Sequence, residues 1–132
     1  VTDLKRSRAF YEHMLGMNVV WEPDGDNVYL SSGHDNLALH QIGAGELAAY
    51  RPAKAQFLDH LGVIVESPQA VDALYREIGP KIESFGGRIA KEPKPHRDGS
   101  YSFYFSDPDG NVIQALYEPT ISKLQWIVTG DK

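Results

Sequence analysis

Several polar side chains in this sequence have types and spacings that could do chemistry. His60 sits on the small-residue face of a candidate strand, His96 lies in a loop bounded by Pro95 and Gly99, and Ser102, Tyr104 and Gln114 fall on the polar faces of two alternating runs. An imidazole titrates near neutrality and can ligate a metal through a bare ring nitrogen, which makes His60 and His96 candidates for ligand or acid–base work. The plainer alternatives are a hydrogen-bonded strand histidine and a solvated loop histidine. A tyrosine hydroxyl at position 104 can donate to a developing oxyanion, or simply remain wet at the end of an amphipathic ring. Gln114 offers both amide groups to a molecule bound in a polar pocket. His40, in Leu37-Ala38-Leu39-His40, shares a face with Ala38 by the period-two rule and looks into the same pocket, unless it stands at a sheet edge. His13 and His34 read as helix-surface and turn residues. Ser100, Ser102 and Ser106 have no histidine and aspartate at a triad spacing, so a serine hydrolase is not indicated.

The elements that must position these groups are set by the stretch from His96 to Glu118. It alternates, turns at Asp107-Pro108-Asp109-Gly110-Asn111, and alternates again, the pattern of two antiparallel strands joined by a tight turn. Ser100, Ser102, Tyr104 and Ser106 then share one face, while Tyr101, Phe103 and Phe105 share the other; in the second run Val112, Gln114 and Leu116 oppose Ile113, Ala115 and Tyr117. The bulky face suits packing on a helix. The hydroxyl and amide face suits a ligand cavity, because those groups are costly to bury against apolar layers.

Asp3 caps a helix whose apolar side is Leu4, Phe10, Tyr11, Met14 and Leu15, and Gly16 ends it. Strands over 17–22, 27–31 and 36–42 follow as a meander, and 43–56 reads as an Ala-rich linker broken by Pro52. A strand over 57–66 places His60, Gly62 and Ile64 on one face and Leu61, Val63 and Val65 on the other. Ser67-Pro68 opens a second helix with the stripe Val71, Leu74, Tyr75 and Ile78. Gly79-Pro80 breaks it, a further turn ends at Gly86-Gly87, and strands over 88–91, 100–106 and 111–117 complete the second half. The order is strand, helix and three strands, twice, once a first strand is granted ahead of Val1. The chain is thus one domain: module 1 over about 1–42, the linker, module 2 over about 57–118, and a tail from about 119 to 132 with apolar Ile121, Leu124, Trp126, Ile127 and Val128.

A chain of 132 residues builds one core, and a formal charge of −5 with dispersed Lys and Arg argues against nucleic acid. No apolar run of membrane-spanning length occurs, so no membrane role is expected. The absence of cysteine removes thiol chemistry and disulfides and fits a reducing, cytoplasmic setting.

Three sequence pieces, VTDLKRSRAFYEHMLGM, DHLGVIV and FYFSDPDGN, together with the repeated element order, resemble the vicinal oxygen chelate superfamily. That group includes lactoylglutathione lyases, extradiol dioxygenases, fosfomycin-modifying enzymes and bleomycin-binding resistance proteins. The resemblance implies an α+β fold of two tandem βαβββ modules forming a cupped mixed sheet, with the first strand of module 1 largely missing before Val1, and often a homodimer. It implies a divalent metal, iron, manganese, zinc or nickel, held by His60 and by the position of Gln114, where the family usually has Glu. A third ligand would lie upstream of Val1, and the lyases' further Glu falls on Ala38. By the same resemblance Tyr104 is the substrate-binding tyrosine and His96 the acid–base histidine of the dioxygenases, while His40 and Ser102 are further pocket residues by alternation alone. A neutral amide brings no charge to a metal, so the ion is expected to be weakly held or absent. Two functions follow: a metal-dependent dioxygenase- or lyase-type enzyme acting on a small oxygenated organic molecule, or a metal-free protein that sequesters such a molecule.

Overall fold

Asp3 opens the first helix in extended backbone (φ −145°), and its carboxylate accepts the Arg6 amide N–H at 3.0 Å, satisfying one of the donors a helix start leaves free. The computed structural model describes residues 1–51 and 58–122. Helix α1 runs Leu4–Leu15 and stops at Gly16, whose φ of 63° belongs to the left-handed region that glycine enters without cost. Three antiparallel strands follow, β1 (Asn18–Asp24), β2 (Asn27–Ser31) and β3 (Leu37–His40), in the order β1-β2-β3. Val28 and Leu30 point to α1 and are fully buried, while Trp21, Tyr29 and Ala38 form a row on the opposite face.

The linker holds a short helix, α2 (Ala44–Ala49), that strand-oriented reading of the sequence passes over. Glu46 turns back to accept the Gly43 amide N–H at 3.2 Å, and Ala-rich composition does the rest. No residue of α2 is buried, so it is held locally rather than by the core. Residues 52–57, including Phe57 at the start of the expected strand, lie outside the described residues.

The second half contains β4 (Leu61–Ile64), α3 (Pro68–Ile78), a 3₁₀ turn (Ile82–Phe85), β5 (Arg88–Pro95), β6 (Tyr101–Ser106) and β7 (Val112–Tyr117). Ser67 caps α3 by accepting the Ala70 N–H at 3.1 Å. The sheet order is β4-β7-β6-β5, with β4 parallel to β7 and the other pairs antiparallel. The mixed architecture of two βαβββ-type modules is therefore present as two sheets, three-stranded and four-stranded. Each sheet is covered by its own helix.

Phe10 and Phe105, with ring centres 6.3 Å apart, join the two halves in one core that also includes Ile82, Phe103 and Ile113. Tyr75 on α3 meets Phe103 edge-on at 5.4 Å. The bulky face of β6 thus packs inward, as alternation requires. Val1 adds a parallel bridge beside β3: its terminal amine donates to the His40 carbonyl at 2.6 Å and its own carbonyl accepts the Ile42 N–H at 3.0 Å.

Candidate functional site

The four-stranded sheet sets one row of residues across its whole width. Gly62 on β4 pairs with Gln114 on β7, Gln114 with Tyr104 on β6, and Tyr104 with Lys91 on β5. The next row, Ile64, Leu116, Ser102 and Lys94, lies on the same face, with Lys94 three residues after Lys91 because β5 shifts register between them. Because residue 62 is glycine, whose missing Cβ would meet only Leu116 at 4.0 Å, the space in front of Gln114 stays open.

His60 precedes β4 and projects over this row. Its ring meets that of Tyr104 edge-to-face, with centres 5.3 Å apart. Nδ1 lies 2.5 Å from an Asp59 carboxylate oxygen, which makes Nδ1 the protonated nitrogen and leaves Nε2 with its lone pair. Lys91 Nζ sits 5.0 Å from the centre of the Tyr104 ring, a cation on its π face. His60, Tyr104, Gln114, His96, Lys94 and Arg97 line one cavity of about 660 Å³.

His96 enters this cavity from a tight loop. Its amide donates to the Ser100 carbonyl at 2.9 Å, Gly99 adopts φ 84°, and Asp98 accepts the Ser100 amide at 3.0 Å. Hydrogen bonds from Ser100 hold the Asp98 carboxyl below its usual range, so the loop keeps its shape with Asp98 ionised. Ser102 lies beneath the cavity, fully buried, with Oγ 2.7 Å from His96 Nε2 and 2.9 Å from Gln114 Nε2. The structure therefore brings His60, His96, Ser102, Tyr104 and Gln114 together.

His40 is the exception. It is exposed at the end of β3, its ring Nδ1 bonded to the Asn27 side-chain oxygen and its ring edge-on to Tyr29 at 5.7 Å, so it does not line the cavity. The cross-strand Asn27 satisfies it, and the edge position accounts for it. Ala38, at the lyase ligand position, has no coordinating atom beyond the backbone.

Sequence reasoning missed Asp59, Lys91, Lys94 and Arg97. Asp59 was visible as the neighbour of His60; Lys91 and Lys94 became visible only with the register of β5, which runs to Pro95 rather than stopping at Lys91, and Arg97 with the loop that follows it. The Asp-Pro-Asp-Gly-Asn turn also has a role the pattern did not disclose. Asp107, nearly fully buried, accepts from the Tyr11 hydroxyl at 2.7 Å, the Asp109 amide at 3.0 Å, and the Asn111 amide and side chain at 2.8 Å each. Thr2 adds bonds to Asp109 from its hydroxyl and, at 3.1 Å, its amide. This fastens the tip of the β6–β7 hairpin, which carries Tyr104 and Gln114, to module 1.

The donor set can be tested against a divalent ion. His60 Nε2 is a good ligand with its orienting carboxylate in place, whereas Gln114 offers a neutral oxygen, and no group of three His, Cys, Asp or Glu comes together among the described residues. These are two donors, one of them neutral, so a divalent ion bound by them alone would be weakly held.

Residues 1–115 match the family model for the Glyoxalase/Bleomycin resistance protein/Dioxygenase superfamily. Among solved structures, a glyoxalase-related enzyme from Fulvimarina pelagi is 19% identical, with 90% of this chain and 83% of that chain covered and a TM-score of 0.69. A lactoylglutathione lyase from Agrobacterium tumefaciens is 22% identical (89% and 87% covered, TM-score 0.64), and a glyoxalase/bleomycin resistance protein from Albidiferax ferrireducens T118 is 28% identical (90% and 92% covered, TM-score 0.63). The shared property at these identities is the fold.

Proposed function

This chain belongs to the Glyoxalase/Bleomycin resistance protein/Dioxygenase superfamily, and we propose that its cavity binds a small oxygenated organic molecule and, with a divalent ion, converts it by dioxygenase- or lyase-type chemistry. The convergence of His60, His96, Tyr104 and Gln114 on one cavity carries this reading. His60 Nε2 and the Gln114 side-chain oxygen would hold the ion. A bound ion supplies Lewis acidity toward ligand oxygens.

The remaining work falls to the chain's own groups. Tyr104 donates its hydroxyl to a ligand oxygen on which negative charge develops, and Lys94 and Arg97 at the rim favour the same charge. His96 faces the ligand at the cavity wall. The fastened hairpin keeps Tyr104 and Gln114 in one row, so the donor and ligand positions need no rearrangement when a molecule enters.

A second reading, a metal-free protein that sequesters its ligand in the same cavity, is favoured by one observation: Gln114 is an uncharged amide. There Gln114 hydrogen-bonds the organic ligand itself.

Calorimetric titration with iron, manganese, zinc and nickel separates the two. In the enzyme reading the parent binds weakly, Gln114→Glu tightens binding by about tenfold or more, equivalent to ~1.4 kcal/mol, and His60→Ala abolishes it. In the sequestering reading metals have little effect, and Gln114→Glu weakens ligand capture by burying a charge. Absence of heat with every metal in all three proteins would remove the enzyme reading.

A further inference from the structure

The buried Ser102 allows a proton to be placed on His96 by counting. Its Oγ has two side-chain neighbours among the described residues, Gln114 Nε2 at 2.9 Å and His96 Nε2 at 2.7 Å. An amide nitrogen only donates, so Ser102 Oγ accepts from Gln114. The serine hydroxyl then has one hydrogen to place, and Ser102 is fully buried, where a hydroxyl hydrogen without an acceptor is costly. His96 Nε2 is the remaining neighbour. It must accept, and the ring proton of neutral His96 must therefore sit on Nδ1.

We infer that Gln114, acting through Ser102, fixes His96 as the Nδ1–H tautomer, so that the loop histidine meets a ligand as an N–H donor rather than as a base. Since Nε2 is turned to Ser102, Nδ1 is the ring nitrogen left for a molecule in the cavity that His96 lines. The same bond fixes the Gln114 amide, whose oxygen is left for the cavity. Gln114 and Ser102 are thereby positioning residues for His96, in addition to whatever Gln114 contacts itself.

The choice of amide over carboxylate decides the direction of the whole chain of hydrogen bonds. A glutamate at 114 could only accept, so the Ser102 hydroxyl would donate to it and Ser102 Oγ would accept from His96 Nε2–H. Replacing one nitrogen by oxygen at position 114 moves a proton across an imidazole that it does not touch. The inference gains its functional meaning from the proposed ligand cavity, but the tautomer itself needs neither metal nor ligand.

The test uses the full chain labelled with ¹⁵N in its imidazoles, free of ligand and at a pH where the rings are neutral. Two-bond proton–nitrogen correlation spectra report which ring nitrogen bears hydrogen, and His96→Gln identifies the His96 signals. The parent is expected to show a protonated Nδ1 and a bare Nε2, Gln114→Glu the reverse, and Ser102→Ala both tautomers. A parent with the proton on Nε2 would overturn the inference, because the amide would then lie the other way round with its oxygen on Ser102. A Gln114→Glu or Ser102→Ala spectrum identical to that of the parent would overturn it as well. Failure here leaves the metal-titration outcome standing, and absence of metal binding leaves the tautomer standing.

Discussion

Tyr11 is a residue whose chemistry was hidden by its usefulness as an apolar helix position. Its ring serves the core as the helical stripe requires, but its hydroxyl donates to Asp107, which lies 96 positions further along the chain. Burial, and then the adjacent Asp107 charge and hydrogen bond, push the Tyr11 phenol well above the ordinary tyrosine range. The sign of the consequence is fixed: the folded state keeps a proton that the unfolded state gives up near pH 10, so the stabilisation is complete below that pH and is lost as pH rises above it. Stability should fall with a slope of about 1.4 kcal/mol per pH unit above pH 10 from this group. Tyr11→Phe should cost about 1–2 kcal/mol at neutral pH and remove that slope, measured by urea unfolding across the alkaline range. An unchanged alkaline slope in the variant would show that the Tyr11 phenol is not the group that sets it. His60, Tyr104 and Gln114 were legible because alternation assigns faces without knowledge of distant contacts. The partners Asp107 and Ser102 were legible as residues but not as bonds, since the bonds join positions that the chain separates.

At the scale of elements, caps and punctuation were the most readable features. Asp3 and Gly16 bound α1, Ser67-Pro68 opens α3, and Gly79-Pro80 hands over to the 3₁₀ turn. Alternation also separated the core face of β6 from its cavity face correctly, with Phe103 and Phe105 fully buried. The length of β5 was not readable, because Pro93 and Pro95 look like breakers; on an outer strand they are tolerated, where no neighbour needs their N–H. The meaning of Gly87 was equally closed to sequence reading. A Cβ there would collide with the Phe10 ring and lie 2.5 Å from the Ser106 carbonyl oxygen, so this glycine permits the approach of α1, the 3₁₀ turn and β6. Gly87→Ala should therefore destabilise by about 1–3 kcal/mol or more, as overpacking does, with a lowered melting temperature. A melting temperature equal to that of the parent would mean that the close approach is not required.

For the whole molecule, the outer edges are unequal. β1 carries Pro23 and shifts in register, and β5 carries its two prolines, devices that discourage pairing with another chain. Among the described residues β4 has no such protection, and apolar Leu58 (61% exposed), Leu61 (45%) and Ile64 (43%) lie at or beside it. We expect a homodimer that covers this region, seen by sedimentation at roughly tens of micromolar, above a typical micromolar dissociation constant. A monomer at that concentration would reject it. The apolar tail lies outside the described residues from position 123 onward. The two tyrosines that follow the helix caps carry a different kind of consequence. Tyr11 and Tyr75 each stand eight residues after their N-caps, Asp3 and Ser67, so they are the same position in two copies of one plan. Tyr11 spends its hydroxyl on the turn of the other copy, whereas Tyr75 lays its ring edge-on against Phe103 of its own sheet. Once the copies had diverged in this way the halves ceased to be interchangeable: a chain made of the second half twice over would put the carboxylate of Glu66 where the Thr2 hydroxyl now donates to Asp109, and the turn would lose that fastening.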